Sequence, residues 1–146
     1  MVTGEYHISL DDKGRVMLPA KVRSVFADST IVLTQGVDRC LWIFEPEDWK
    51  RICDNLMEST NMFQARARLI QRRIIAPAQE AELDRSGRIH ISPALREYAD
   101  LQKECVVLGV GSYLEIWDEQ KYKNYWEENE PEFQEAAEEL GKILAL

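Results

Sequence analysis

At 146 residues, with 45% hydrophobic content and four tryptophans, the chain is sized for one folded domain or two very small ones, and is too apolar for a disordered segment. A net charge of −8 speaks against a uniformly basic nucleic-acid binder. No apolar run approaches the ~20 residues needed to cross a bilayer, and the first residues lack the basic start and apolar run of a signal peptide.

In chain order, apolar residues alternate with polar ones on both sides of Asp11-Asp-Lys-Gly-Arg15, at Ile8 and Leu10 before it and at Val16 and Leu18 after it. Period two predicts two short strands joined by a tight turn, a hairpin over 5–18, and the proline of Pro19-Ala-Lys-Val-Arg23 then starts a short helix over 19–27. Thr30–Thr34 and Cys40–Phe44 read as strands around a turn at 35–39, and Glu45-Pro46 with its trailing acids opens a helix. From Trp49 to about Ile75 apolar residues keep helical spacing, with a break expected between Asn55 and Asn61. The second of these helices carries Arg66, Arg68, Arg72 and Arg73, read as a solvated face pairing with acids elsewhere or as a set of phosphate contacts. After Ala76-Pro77-Ala78 the pattern begins again: a hairpin over 78–91, a short helix over 93–100, a strand at Glu104–Leu108, a turn at Gly109 and Gly111, a strand at Tyr113–Trp117 and a helix from Asp118. The acidic tail beyond Asn129 reads as a helix whose stripe of Phe133, Ala137, Leu140 and Leu144 serves core or subunit contact rather than a membrane.

The chain is therefore an internal duplication at an offset of 73 residues. Leu10-Asp-Asp-Lys-Gly-Arg-Val-Met-Leu-Pro-Ala-Lys-Val-Arg23 returns as Leu83-Asp-Arg-Ser-Gly-Arg-Ile-His-Ile-Ser-Pro-Ala-Leu-Arg96 without a gap. In each copy the aspartate can accept main-chain N–H bonds in the turn, Gly14 or Gly87 supplies positive φ, and Arg15 or Arg88 opens the next strand on the side away from the core. Half a chain supports only a marginal core, so the copies share one or depend on a partner.

Charge is unevenly distributed. Residues 61–98 carry +3 and residues 1–26 carry +1, whereas residues 114–146 carry −7, so both copies of the repeat lie in positive segments. A local patch, not the total, decides whether phosphate is attracted.

No catalytic constellation is present: His7 and His90 stand at non-equivalent places and read as ordinary strand residues. Cys40, Cys53 and Cys105 have no zinc spacing and read as reduced, buried thiols of a cytosolic protein. Neither an enzyme, a metal, a cofactor nor a small-molecule substrate is expected. Arg15 and Arg88 read either as turn arginines paired to Asp11 and Asp84, or as arginines held by that pairing and presented to phosphate or to guanine O6/N7. The two readings are compatible. Lys13 and Lys21 add charge beside Arg15, whereas the second copy has Ser86 and Ala94 there, so the first copy reads as the stronger phosphate contact.

The doubled Leu-Asp-x-x-Gly-Arg, the Pro-Ala-Lys-Val-Arg and Ser-Pro-Ala-Leu-Arg that follow, Leu41-Trp-Ile-Phe44 and Leu114-Glu-Ile-Trp117 together resemble the MraZ family of bacterial transcription regulators, of the AbrB/SpoVT-like swapped-hairpin group. The resemblance implies an α+β fold: two intertwined AbrB-like β-hairpin repeats in one small β-barrel-like domain with flanking helices. Residues 5–50 would be the first repeat, 51–76 connecting helices, 77–122 the second repeat and 123–146 the acidic helical tail. It also implies a ring-shaped homo-oligomer that binds double-stranded DNA at repeated sites upstream of the division and cell-wall gene cluster, as a cytoplasmic, nucleoid-associated regulator and by family expectation a repressor. By position, Arg15, Lys13, Arg88, Lys21 and Arg23 would contact DNA, and Asp11, Gly14, Asp84 and Gly87 would shape the turns. The competing class is a regulatory scaffold or antitoxin-like module that holds a protein through the acidic tail and binds no DNA.

Overall fold

The computed structural model describes residues 1–145. In the first copy β1 (Val2–Ser9), β2 (Arg15–Met17) and α1 (Ala20–Arg23) are followed by β3 (Thr30–Gln35), β4 (Leu41–Phe44) and α2 (Pro46–Ser59). α3 (Ala65–Ile70) continues into a π-helical turn, Gln71–Ile75. The second copy repeats the order: β5 (Gln79–Glu82), β6 (Arg88–His90), α4 (Pro93–Tyr98), β7 (Glu104–Gly111), β8 (Leu114–Asp118) and α5 (Glu119–Leu144).

The self-contained hairpin expected in each copy does not form. β1 and β2 do not pair as strands; the chain between them closes with the Leu10–Val16 bridge and an Asp11 N–H to Arg15 C=O bond of 2.8 Å. β1 instead runs antiparallel to β7, from Val2 opposite Gly111 to Ser9 opposite Glu104, while β5 pairs with β3 in the same way. β2 pairs with β6, Val16 facing Ile89, and β4 with β8, Trp42 facing Glu115. A lone two-stranded ribbon is marginal in water, and exchange gives β1 and β5 places in a six-stranded sheet whose core the β2-β6 ribbon shares. The result is α+β: an antiparallel sheet in the order β1-β7-β8-β4-β3-β5, plus the β2-β6 ribbon that continues from both of its edge strands. The two copies intertwine within one chain, as the resemblance implied.

The turn expected at Gly109 and Gly111 also moves. Both glycines lie inside β7, because β1 begins as early as Val2 and needs a partner that far. Gly109 faces Gly4, and a Cβ on Gly109 would come within 2.8 Å of the Thr3 backbone nitrogen. Glycine allows the two backbones this close approach.

Pleating gives the sheet two different faces. Cys105 and Val107 of β7 point into the main core with Val16 and Leu18 from around β2, Ile89 and Ile91 from around β6, and Val22 and Leu95 from the short helices. Both copies therefore fill one core. Val106, Leu108 and Trp117 point to the opposite face, where Tyr122 and Tyr125 of α5 cover them. The π-helical turn after α3 is tied to β3, Thr34 Oγ1 donating to Ile74 C=O and Gln35 Nε2 to Arg73 C=O.

The helix break falls at Thr60–Gln64, overlapping the end of the expected stretch, and Asn61 builds it: its Oδ1 accepts the Phe63 N–H while its own N–H donates to Gln64 Oε1. Cys40 and Cys105 are buried, Cys53 half-buried, and all three are free. Burial, aided by nearby Asp118, pushes the Cys105 thiol up to about 12. No described helix is long and apolar enough to cross a membrane.

Leu18 is fully buried just after β2, and its N–H donates to Gly87 C=O of the other copy. Leu18→Ala should destabilise the fold by about 2–5 kcal/mol in urea unfolding, whereas Met17→Ala, on the exposed side of the same strand, should stay within about 0.5 kcal/mol.

Candidate nucleic-acid interface

Each turn is built by its aspartate. Asp11 Oδ1 accepts the N–H groups of Lys13 at 2.9 Å and Arg15 at 2.8 Å, and Oδ2 accepts Arg15 Nε at 2.8 Å. Asp84 repeats the pattern with Ser86 N–H, Arg88 N–H and Arg88 Nε, the last at 2.8 Å. Gly14 and Gly87 take φ of +76° and +81°, a conformation that L side chains rarely adopt. The carboxyl of Asp11 is held below its usual value, chiefly by the Arg15 backbone N–H; partial desolvation opposes this, and the Arg15 guanidinium and Lys13 N–H reinforce it. The same causes act on Asp84 through Arg88 and Ser86.

Strand exchange then sets the spacing of the arginines. On the β2-β6 ribbon Val16 and Ile89 point inward, so Arg15, Met17, Arg88 and His90 point outward, Arg15 opposite His90 and Arg88 opposite Met17. Arg15 and Arg88 thus lie on one outer face as diagonal neighbours, roughly 7–8 Å apart by β geometry. Each is tethered to its aspartate through Nε. The Nη edge, which fits phosphate or guanine as a fork, takes no part in that bond. His90 stands opposite Arg15 on the ribbon, and His7 of β1 contacts Glu119 at 3.1 Å.

Arg23 is not grouped with Lys13 and Lys21, its neighbours in sequence. It crosses to the second turn and lies against Gly87, where a Cβ would overlap its guanidinium; its Nη1 approaches Ser86 C=O at 3.5 Å. Its counterpart Arg96 lies against Gly14 in the same manner. Each turn is thus clasped by an arginine from the other copy. One cluster holds Asp11, Asp12, Lys13, Arg15 and Arg96, the other Asp84, Arg85, Arg88 and Arg23. The second carries no less positive charge than the first, with Arg85 standing where the first copy has Asp12. Sequence reading passed over Arg85 and Arg96. Arg85 was visible as a basic residue inside the repeated turn, and Arg96 as the identical partner of Arg23. Lys13 and Lys21 are exposed on the first turn and on α1.

The arginine-rich segment is a separate surface. Arg68 Nη1 donates to Met62 C=O at 2.9 Å and Arg73 lies over the Tyr98 ring at 5.6 Å, while Arg66 and Arg72 are exposed. Among the described residues none of these four forms an ion pair with an acid. Also among them, no three His, Cys, Asp or Glu side chains gather as metal ligands.

Comparison with known proteins agrees with this internal symmetry. A family model described as "MraZ protein, putative antitoxin-like" matches the chain twice, over residues 1–73 and 74–143. A protein of Treponema denticola named "Transcriptional regulator MraZ" is 51% identical over 142 residues, covering 97% of this chain and 99% of its own length. Proteins of the same name from two strains of Treponema pallidum are 46% identical over 141 residues, covering 97% of this chain and 95% of theirs.

Two measurements check the turns. Asp11 and Asp84 have lowered pKa values in the folded state, so their stabilisation is present above the unfolded carboxylate value and is lost as the pH falls below about 3.8. The Asp11→Asn, Asp84→Asn double variant should be less stable than the parent at neutral pH and should lose less on acidification, read by urea unfolding at stepped pH. Gly87→Ala, strained in φ and crowding Arg23, should cost more than about 1 kcal/mol in the same assay.

Proposed function

The chain belongs to the MraZ family, and from that premise we propose that it is a transcription regulator that binds double-stranded DNA through the β2-β6 ribbon. The names of its relatives support the regulatory role. The observation that carries the DNA contact is the placement of Arg15 and Arg88 on one outward face, each braced by its own aspartate. A guanidinium already fixed at Nε loses less entropy on binding than a free side chain, and its remaining edge can meet two phosphate oxygens or the O6 and N7 of guanine. Lys13, Lys21 and Arg85 flank the pair with exposed charge. Arg23 and Arg96 hold the turns on which the pair depends.

One ribbon offers few contacts, so a single chain would bind weakly. In a ring-shaped homo-oligomer several identical ribbons would meet successive promoter repeats, and linkage raises affinity through effective concentration. We take the targets to be repeated sites upstream of the division and cell-wall gene cluster, and the effect to be repression. This reading places the protein in the cytoplasm, on the nucleoid. The exposed acidic half of α5 and the antitoxin-like description of the family favour a second reading, a scaffold that holds another protein and binds no DNA.

Fluorescence anisotropy with a duplex from upstream of the gene cluster separates the two. The parent should bind, with affinity falling steeply as salt rises. Arg15→Ala and Arg88→Ala, at unchanged oligomer mass, should each weaken binding, by about 1–3 kcal/mol where the arginine reads a base; where it meets phosphate, the salt slope should fall by about one unit for each phosphate no longer neutralised. A correctly assembled parent that binds at no salt concentration would leave the scaffold reading.

A further inference from the structure

From the structure we infer that the projecting half of α5 is an arm that docks into the α3 groove of a second copy of this chain. This rests on the proposal above that the chain forms a closed homo-oligomer, and it names the contact. α5 is 26 residues long, about 39 Å at helical rise. Its first half covers the sheet with Tyr122 and Tyr125, but from Glu130 to Ala145 every residue except Gly141 is exposed. The arm carries an apolar stripe of Phe133, Leu140, Ile143 and Leu144, the first 49% and the last 61% exposed, which extends the Trp126–Phe133 ring contact along the helix. Around the stripe, residues 127–139 hold seven glutamates and no basic residue.

The complementary surface lies on the α3 segment of the same chain. The α3 segment holds four arginines and no acid between Met62 and Ala76. A groove of about 420 Å³ is lined there by Val37, Leu69, Ile70 and Ile74 with Arg72 and Arg73. Leu69 is 65% exposed although it faces an apolar site, and none of these arginines has an acidic partner among the described residues. An acidic helix with an apolar stripe fits an apolar groove with basic side chains. Two arms packed on each other would set glutamate against glutamate, so the charge pattern selects arm against groove over arm against arm. Such a contact joins different surfaces of the two partners. It is heterologous, and repeated heterologous contacts close into a ring when the rotation allows.

The test uses full-length chains and their mass in solution, by light scattering after gel filtration. Leu140→Asp spoils the arm and Leu69→Asp the groove; both positions are exposed, and far-UV circular dichroism checks the fold. The parent should run as a multiple of 16.9 kDa and each variant alone as a single chain. Mixed together, the Leu140→Asp chain still offers its groove and the Leu69→Asp chain its arm, so the mixture should form pairs and nothing larger. A parent that is a single chain overturns both this contact and the ring. An assembled parent whose variants also assemble overturns the contact alone, leaving the ring with another interface or the arm with another partner. Variants that come apart yet do not pair on mixing overturn the match of arm to groove.

Discussion

The constraint on which the structure depends is that β1 satisfies its backbone along β7, in the other half of the chain. Had each copy closed its own hairpin, there would be two small sheets, each with exposed edges and half a core. The exchange removes that alternative. It threads both copies through one core, places Val16 against Ile89, and leaves Arg15 and Arg88 diagonal to each other on a shared ribbon. The pairing of the arginines is thus a by-product of the pairing that makes the fold. Arg23 on Gly87 and Arg96 on Gly14 repeat the same crossing at the level of side chains.

The Asp11–Arg15 and Asp84–Arg88 pairs contribute more to position than to stability. Ion pairs this open to water contribute little to stability, well below the about 2–5 kcal/mol of one buried leucine. What the carboxylates fix is where the guanidinium points. The acidity of the chain does not cancel that charge, because the sheet separates the two. The ribbon packs on one face and the first half of α5 on the other. At physiological salt the screening length is about 8 Å, so charges on opposite faces of the sheet are largely screened from each other. A body of net charge −8 can therefore keep a positive face.

Much of this was legible in the sequence, and the division between what was and was not has a physical cause. The repeat, the alternation, the turn glycines, the outward direction of Arg15 and the helix starts at Pro46 and Asp118 are written in neighbours a few residues apart. Period two tells which face a side chain takes; it does not tell which strand lies alongside. The local reading accordingly closed each hairpin on itself, and only the resemblance supplied the crossing. The strand partner of Gly109 is Gly4, far away in the chain, so its role as a place of close backbone approach had no local signal. Arg85 and Arg96 were missed for a simpler reason. Comparing the copies for the lysines that the second one lacks leaves out of view an arginine added at 85 and one common to both copies at 96.

The two copies part company after the helix that follows β4 or β8. In the first, Thr60-Asn61-Met62-Phe63-Gln64 stops α2, with Asn61 and Gln64 side chains taking up main-chain N–H groups, and the chain returns to dock Ile74 on Thr34 of β3. In the second, the same places hold Phe133-Gln134-Glu135-Ala136-Ala137, which are helix-compatible residues with no side chain suited to capping a break, and α5 runs on past them. One substitution pattern folds a helix back onto its own sheet; the other carries the equivalent residues away from it with their apolar stripe uncovered. A duplicated unit with one docked and one projecting helix is asymmetric, as a heterologous contact requires. The symmetry of the core makes the ribbon, and the loss of symmetry beyond it leaves an arm and a groove on the same chain.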